Sequence, residues 1–218
     1  MTGLLDFWNQ SLPQLLTGFT LSLQVTGLSL ALGIPLGLVL ALTLQSASRW
    51  LRWPSLVMVE IGRGASILVL LQFVYFGLPS AGLTLSSFAS AVAAFCWCTA
   101  AYTSEIIRAG LQSVHHGQSE AGEVLGLDPA EILRFVILPQ GLPVCVPTLL
   151  GFSILMLQAS SLAFVVALPE LMSKAQLIGS NTFRYMPLFA LTAILYAAVC
   201  IPATIVVGRL ERRLSRHI

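Results

Sequence analysis

The chain has 218 residues, of which 56% are hydrophobic and 9% charged, and its mean hydropathy is +0.88. Charged side chains are too few to cover a soluble globule of this size, so the composition places the chain in a lipid bilayer. The net charge of +2 is too small to indicate nucleic-acid binding, and lysine and arginine gather at the ends of apolar runs, as in membrane proteins.

The positions of the charged residues mark the predicted membrane spans, because a charge at mid-bilayer costs at least about 2.5 to 3.5 kcal/mol. Four stretches contain no Asp, Glu, Lys or Arg: residues 7–48, 64–104, 135–169 and 185–208. The second stretch is long enough for two crossing helices and holds a turn signal at residues 77–82. The first begins with a mixed segment, residues 7–17, which is typical of a short interfacial helix and leaves one span after it.

These stretches predict an all-α membrane protein with five transmembrane helices in one domain, residues 1–218. The predicted spans cover about residues 20–44, 56–78, 84–108, 145–168 and 187–208. Eight arginines gather on one side of the predicted membrane, whereas Lys174 and Arg184 lie on the other. The arginine-rich side is therefore expected to be cytoplasmic, which puts the N-terminus outside and the C-terminus inside.

The loop between the third and fourth predicted spans, about residues 113–140, holds four of the nine acidic residues. Residues 118–125 predict a short helix, which Gly126 ends because glycine readily adopts the left-handed conformation. Small residues surround Glu120 and would let a partner's surface approach the backbone: Gly117, Ala121, Gly122 and Gly126. The alternative is a capped surface loop that binds no partner.

A second short helix is predicted directly after the first. Asp128 is its expected N-cap, Pro129 suits its first position, and Glu131 completes a capping box three residues after the cap. Leu138 and Pro139 are expected to break the chain before the fourth span, because proline lacks the N–H that a helix needs.

In this loop the sequence resembles the membrane subunits of ABC importers. Their cytoplasmic loop follows the pattern EAA, three residues, G, nine residues, I, one residue, LP. The positions of that pattern are filled, in order, by Glu120, Ala121, Gly122, Gly126, Val136, Leu138 and Pro139. Gly122 and Val136 depart from the pattern by replacing alanine and isoleucine.

The resemblance narrows to permeases that import polar amino acids, of the histidine and glutamine type, and it covers nearly the whole chain. Short motifs typical of that subfamily begin at Arg63, Tyr75, Ala101, Gly117 and Leu138. It implies that the first loop helix is a coupling helix, which docks on a separate ATP-hydrolysing subunit. The residues that would make or shape this contact are Gly117, Gln118, Glu120, Ala121, Gly122 and Gly126.

The resemblance also implies a set of partners. They are a second permease, identical or homologous, a pair of ATPase subunits that bind ATP and Mg²⁺, and an extracytoplasmic solute-binding protein. The chain itself is expected to bind no cofactor and to hydrolyse no ATP. A P-loop needs Gly-Lys before Ser or Thr, and the single lysine, Lys174, follows Ser173.

Polar residues inside the predicted spans are candidates for lining a translocation path: Gln72, Tyr75, Gln158, Ser160 and Ser161. Each could instead bond to a neighbouring helix. Related permeases typically have Lys-Asp-Thr-Ser-Leu where this chain has Gln158, Ala159, Ser160, Ser161 and Leu162. Because the lysine and aspartate are missing, a standard amino-acid substrate does not follow from the resemblance.

Two further features of the sequence bear on ionic and metal chemistry. Glu60 and Arg63 are three residues apart near the cytoplasmic end of the second span and could pair there, as a local ion pair or as part of a gate. His115 and His116 are predicted to be a solvated pair. No metal site is expected, since the four cysteines lie in or beside apolar runs as small buried thiols.

The main alternative function is a gradient-coupled secondary transporter of small solutes, and a structural membrane protein is a third class. The predicted mid-membrane regions contain no Asp, Glu, Lys, Arg or His, the residues from which proton relays are commonly built. An odd number of spans is also awkward for an internal inverted repeat within one chain. Both observations favour the ATP-driven importer.

Overall fold

The computed structural model of the protein describes residues 2–46 and 48–214, and its regular elements there are all helical. The α-helices are α1 (Thr2–Leu44), α2 (Arg49–Gly64), α3 (Ile67–Gln72), α4 (Ser87–Gln112), α5 (His116–Val124), α6 (Pro129–Ile132), α7 (Leu138–Ala159), α8 (Leu171–Thr182) and α9 (Tyr185–Leu214). The remaining helical turns are π-helical at Phe73–Gly77 and Leu133–Ile137 and 3₁₀-helical at Leu78–Ala81 and Ser160–Val166.

Helix α1 is continuous over 43 residues, which corresponds to about 65 Å, or twice the thickness of the hydrocarbon layer. The predicted span at residues 20–44 is its second half. The predicted separate interfacial segment at residues 7–17 is wrong, because the helix continues through it and packs. Leu15 and Phe19 are buried against α8 and α9, so tertiary contacts rather than the membrane surface hold this end.

The second predicted span, residues 56–78, is also wrong as a continuous helix. The chain bends by 110° between α2 and the segment Ile67–Ala81. Ala65 and Ser66 are extended at the bend, with ψ angles of 143° and 135°. The two parts have different environments: α2 carries three arginines and an exposed tryptophan face, whereas Leu70 and Leu71 of α3 are buried in the main core.

Two π-helical turns each directly precede a Leu-Pro dipeptide, at Pro79 and at Pro139. A proline donates no backbone hydrogen bond, and its ring clashes with the carbonyl four residues earlier in a regular helix. A wider turn before the proline relieves that clash. The predicted break at Leu138 and Pro139 is therefore wrong: the helical segment runs from Pro129 to Val166.

The centre of the molecule is the contact between α1 and α4. Gly33 and Gly37 of α1 face Thr99 and Thr103 of α4, and a Cβ on Gly33 would lie only 2.6 Å from the Cβ of Thr99. Two glycines four residues apart let helix backbones approach closely, as in packed membrane helices. Much of α4 is consequently buried by other helices of the chain.

Three helical segments are long and apolar enough to cross a membrane: Gly3–Leu44, Pro129–Val166 and Tyr185–Arg213. A fourth is reached if the bent pair α2 and α3 counts as one span, in the part of the chain that the structure describes. Helix α4 is not among them because it carries polar residues such as Ser90, Thr99 and Thr103, which it buries inside the bundle. The molecule is an all-α membrane protein, and its helix α8 was not predicted.

Candidate functional site

Helix α5 of the loop is capped by local hydrogen bonds at both ends. At its start, the Nδ1 atom of His115 accepts a hydrogen bond from the backbone N–H of Gly117 at 3.2 Å. At its end, Gly126 has a φ of +80°, which confirms the prediction that a left-handed glycine ends this helix. The N–H of Leu127 bonds to the carbonyl of Gly122 and that of Gly126 to Glu123, which completes a Schellman motif.

The predicted capping box of α6 is confirmed. The N–H of Glu131 donates to Oδ1 of Asp128 at 2.8 Å, and the N–H of Asp128 donates to Oε2 of Glu131 at 3.0 Å. Pro129 occupies the start of the helix. The corner between α5 and α6 is thus fixed by backbone geometry and two short helix caps.

One face of α5 is left open to the outside of the chain. Glu120 and Ala121 are exposed, and Val124 and Leu125 have exposed fractions of 87% and 79%. Two large apolar side chains at the tip of a polar loop are unusual for a surface that meets only water. This face, which we call the loop face (Glu120, Ala121, Val124 and Leu125), is suited to contact another protein.

The other small and polar loop residues have internal roles. Gly122 is buried against α6, where a Cβ would lie 2.9 Å from Cγ1 of Ile132. Its small size therefore admits Ile132 of α6, and its role in contact with a partner stays a prediction. The side-chain amide of Gln140 donates to Oε1 of Gln118 at 3.4 Å and ties α5 to α7.

His115 and His116 are exposed, as predicted, and they make different contacts. His115 caps α5, whereas Nδ1 of His116 lies 3.4 Å from Oε1 of Glu120 one turn further along. In the part of the chain that the structure describes, no group of three or more His, Cys, Asp or Glu residues could hold a metal ion. The four cysteines are free thiols.

An ion cluster connects the bent second segment to α4. Nη1 of Arg63 lies 3.6 Å from Oε2 of Glu105, and Nη2 of Arg108 lies 2.6 Å from the same oxygen. The predicted pairing of Glu60 with Arg63 is wrong, because Arg63 pairs with Glu105 and Glu60 is exposed without an ion pair among the described residues. The end of α2 packs on α4, where the carboxylate of Glu105 lies within ion-pair distance of Arg63.

Tyr102 extends this cluster by one turn. Its hydroxyl donates to the carbonyl of Arg63 at 3.3 Å, and its ring stacks on Phe152 of α7 at a centroid distance of 5.6 Å. The cluster therefore links α2, α4 and α7. Tyr102, Glu105 and Arg108 belong to the motif that begins at Ala101, and their spacing of three residues is the signal for a shared helix face.

The predicted path residues fall into two groups. Gln72 and Gln158 are exposed, and Ser161 is partly exposed. Tyr75 is half-buried against the core, with its ring edge-on to Phe76. Ser160 is only 1% exposed and donates to the carbonyl of Leu157 at 2.7 Å, so it does not lie on a surface that a solute can reach.

The start of α8 contains a buried acid that the sequence did not single out. Glu170 caps α8 by accepting hydrogen bonds from the N–H groups of Met172 and Ser173, at 2.8 and 2.7 Å. Its side chain has no exposure, and Ser22 of α1 donates to it at 3.4 Å. Burial raises the pKa of this carboxyl to about 7, against the effect of the three donors.

Comparisons with known proteins give the chain a family. Residues 33–216 match the family described as "Binding-protein-dependent transport system inner membrane component". The probable amino-acid ABC transporter permease protein YckA of Bacillus subtilis (strain 168) is 35% identical, over 96% of this chain and 92% of its own length. The L-cystine transport system permease protein TcyB of the same organism is 38% identical, over 98% and 90%.

The fold is also similar to a solved structure. The crystal structure of an amino acid ABC transporter with histidines superposes with a TM-score of 0.88 at 32% identity, over 94% of this chain and 95% of that chain. These likenesses extend over nearly the whole length of both partners. They confirm the resemblance seen in the loop motif and favour an ATP-driven importer over a gradient-coupled transporter. The chain belongs to the binding-protein-dependent transport system inner membrane components, the non-enzymatic membrane subunits of ABC importers.

Proposed function

We propose that the chain is the permease subunit of an ATP-driven importer for a polar amino acid or an amino-acid-derived small solute, and that α5 is its coupling helix. The observation that carries the second part is the loop face. Helix α5 is rigid by its own caps, yet Val124 and Leu125 are almost fully exposed beside Glu120. A rigid, exposed and partly apolar helix is suited to docking in a groove of another subunit.

The proposed topology has five spans. Helix α4 is the span that composition alone misses: its 26 residues measure about 39 Å, enough to cross the hydrocarbon layer. It can be less apolar than the others because α1, α2 and α7 surround it. With α5 and the arginines in the cytoplasm, the N-terminus is outside and the C-terminus inside.

The proposed assembly contains two permeases, two ATPase subunits and an extracytoplasmic solute-binding protein. ATP and Mg²⁺ bind to the ATPase subunits, and this chain binds no cofactor of its own. Closure of the ATPase pair moves the loop face, and the permease switches between outward-open and inward-open states. Both ATP and the loaded binding protein bias this equilibrium, as two ligands of a two-state element must.

The proposed substrate class is supported by relatives and by the polar residues of the path. Relatives are named for transport of L-cystine, glutamine and arginine. The exposed amides of Gln72 and Gln158 and the hydroxyl of Ser161 can bond to a zwitterion without a fixed charge. We therefore propose a solute of no net charge, bound weakly enough by neutral groups to be released.

The coupling role is tested by Glu120→Lys in whole cells, with Glu211→Lys as a matched control. Both glutamates are exposed and lie on the arginine-rich side, but Glu211 is on α9, away from α5. We expect uptake of the transported amino acid to be lost in Glu120→Lys and retained in Glu211→Lys, at equal amounts of inserted protein. Normal uptake in Glu120→Lys would rule out α5 as the coupling helix.

The solute class is tested separately, by competition. Uptake of one labelled substrate is measured against an excess of neutral, basic and acidic amino acids. The proposal predicts that neutral polar amino acids such as glutamine compete at least tenfold better than lysine or aspartate. Equal or better competition by a charged amino acid would contradict it while leaving the coupling role intact.

A further inference from the structure

The exposed face of α2 carries an apolar groove next to an arginine. Trp50, Trp53, Val57 and Ile61 form a stripe along one side of the helix, with exposed fractions of 91%, 63%, 50% and 45%. The groove has a volume of about 870 Å³, within the range typical of small-ligand sites. Its other lining residues are Arg49, Pro54, Met58 and Trp97.

The wall that α4 contributes is fixed in place. Nε1 of Trp97 donates to the backbone carbonyl of Met58 at 2.9 Å, so the indole has its hydrogen bond and cannot turn freely. The ring also packs on Gly62, where a Cβ would lie 3.0 Å from Cδ1 of Trp97. The wall of the groove that Trp97 forms is therefore preformed.

The bend gives α2 a different direction from the segment that enters the core, and its exposed face carries tryptophans. The helix is bent by 110° from the segment Ile67–Ala81, which enters the core. Its opposite face, Ser55, Val59 and Gly62, is buried against the rest of the chain. An amphipathic helix that runs across its neighbouring span and exposes tryptophan beside arginine has the character of an interfacial helix.

The charges along α2 are polarised. Arg49 lines the groove, and Arg52 is exposed one turn further on. Glu60 lies eleven residues after Arg49, about 16 Å along the helix axis. Among the groove-lining residues that the structure describes there is no acid, so Arg49 has no carboxylate within the groove to neutralise it.

We propose that this groove binds an anionic phospholipid, with an acyl chain between Trp50, Trp53 and Trp97 and the phosphate on Arg49. The apolar lining takes the hydrocarbon, and the guanidinium takes the negative head group. A second copy of the same face would offer Arg49 only apolar side chains and another arginine. Charge complementarity therefore favours a lipid over self-association at this surface.

The tryptophans allow a direct test, since three of the four in the chain line the groove. The fourth, Trp8, donates to the carbonyl of Pro187 at the far end of α1. The assembled transporter is reconstituted in vesicles that contain matched fractions of brominated phosphatidylglycerol or brominated phosphatidylcholine, which quench tryptophan on contact. The difference in emission between the wild type and a W50F/W53F variant gives the signal of the groove tryptophans. We expect the anionic lipid to quench about fivefold more effectively, the factor that one arginine near an anionic surface supplies.

Three variants assign that preference to the groove. In Arg49→Gln the two lipids should quench tryptophan equally. Arg49→Lys should keep most of the preference for the anionic lipid because it keeps the charge. Arg209→Gln, which removes an exposed arginine of α9 on the same side, should leave the preference unchanged. Equal quenching by both lipids in the wild type would overturn the proposal, as would equal losses in Arg49→Gln and Arg209→Gln. Absence of quenching by either lipid would show that a protein covers the face.

Discussion

Helices α5 and α8, of 9 and 12 residues, are similar in length but opposite in how they are held. Helix α5 buries only Gly122, and its large apolar residues point outward. Helix α8 buries Leu171, Ala175 and Gly179 against the bundle, and its capping carboxylate, Glu170, is fully enclosed. Each has an effective N-terminal cap, from His115 in one case and Glu170 in the other.

The difference indicates separate roles for the two helices. A helix that is fixed by its own caps and keeps its apolar side chains free has binding energy left for a partner. In a helix that buries the same kind of residue, those contacts stabilise the fold of its own chain instead. Changes in α5 should therefore affect transport more than stability, and changes in α8 should do the reverse.

The largest expected effect comes from Gly126→Val, with Gly82→Val as a matched control. Both glycines have left-handed backbones, with φ of +80° and +84°, and both have open space around the missing Cβ. Valine there costs about 1 to 2 kcal/mol of backbone strain in either place. We expect Gly126→Val to lose uptake and to recover at least tenfold less ATPase subunit on purification, because the end of α5 moves.

The control should lower the melting temperature by a similar amount and still recover the ATPase subunit, since Gly82 lies in the turn between α3 and α4. If Gly82→Val also loses the ATPase subunit, the effect is general strain and not a property of α5.

A smaller effect is expected on stability from Glu170→Ala, with Glu120→Ala for comparison. The first removes the acceptor for two part-buried backbone N–H groups at the start of α8, which costs about 1 kcal/mol. The second removes an exposed side chain from α5. Thermal unfolding in detergent should show a clear drop for Glu170→Ala and less than one degree for Glu120→Ala. Equal drops would contradict the assignment of α8 to the fold.

The smallest expected effect is a pH dependence from Glu170. Its pKa is raised by burial from 4.5 to about 7, so the folded protein holds this proton over a range in which the unfolded chain has released it. The contribution of Glu170 to stability should be full below pH 4.5 and fall as the pH rises to about 7. Tyr196 of α9 also lies near the carboxyl, but a phenol does not ionise in this pH range.

Glu170→Gln removes this ionisation and keeps one acceptor for the start of α8. The difference in melting temperature between pH 5 and pH 8 should therefore shrink in the variant relative to the wild type. An unchanged difference would mean that other groups, and not Glu170, set the pH dependence of stability in that range.

Local signals could be predicted from the sequence far better than long-range ones. The end of α5 at Gly126 and the capping box of Asp128 and Glu131 depend on residues within one turn, and both were predicted. The bend after Gly64 and the partner of Arg63 depend on how α2 packs on α4, which no local pattern encodes. The continuous helix through Pro139 was missed because a π-helical turn absorbs a proline that usually ends a helix.

The same difference between local and long-range signals holds within the candidate site. The loop motif located α5, but it did not distinguish Gly122, which admits Ile132, from residues that face outward. Ser160 and Ser161 are adjacent in sequence, and only the fold shows that Ser160 is buried and Ser161 is not.

The central claim is that this chain couples through α5 to a separate ATPase. It is tested most directly by purifying the tagged chain from its native membrane in a mild detergent and counting its partners by mass spectrometry. We predict one copy of a P-loop ATPase subunit per permease, recovered with the wild type and lost with Glu120→Lys. A chain recovered alone or only with itself, in a detergent that preserves such complexes, would contradict the account.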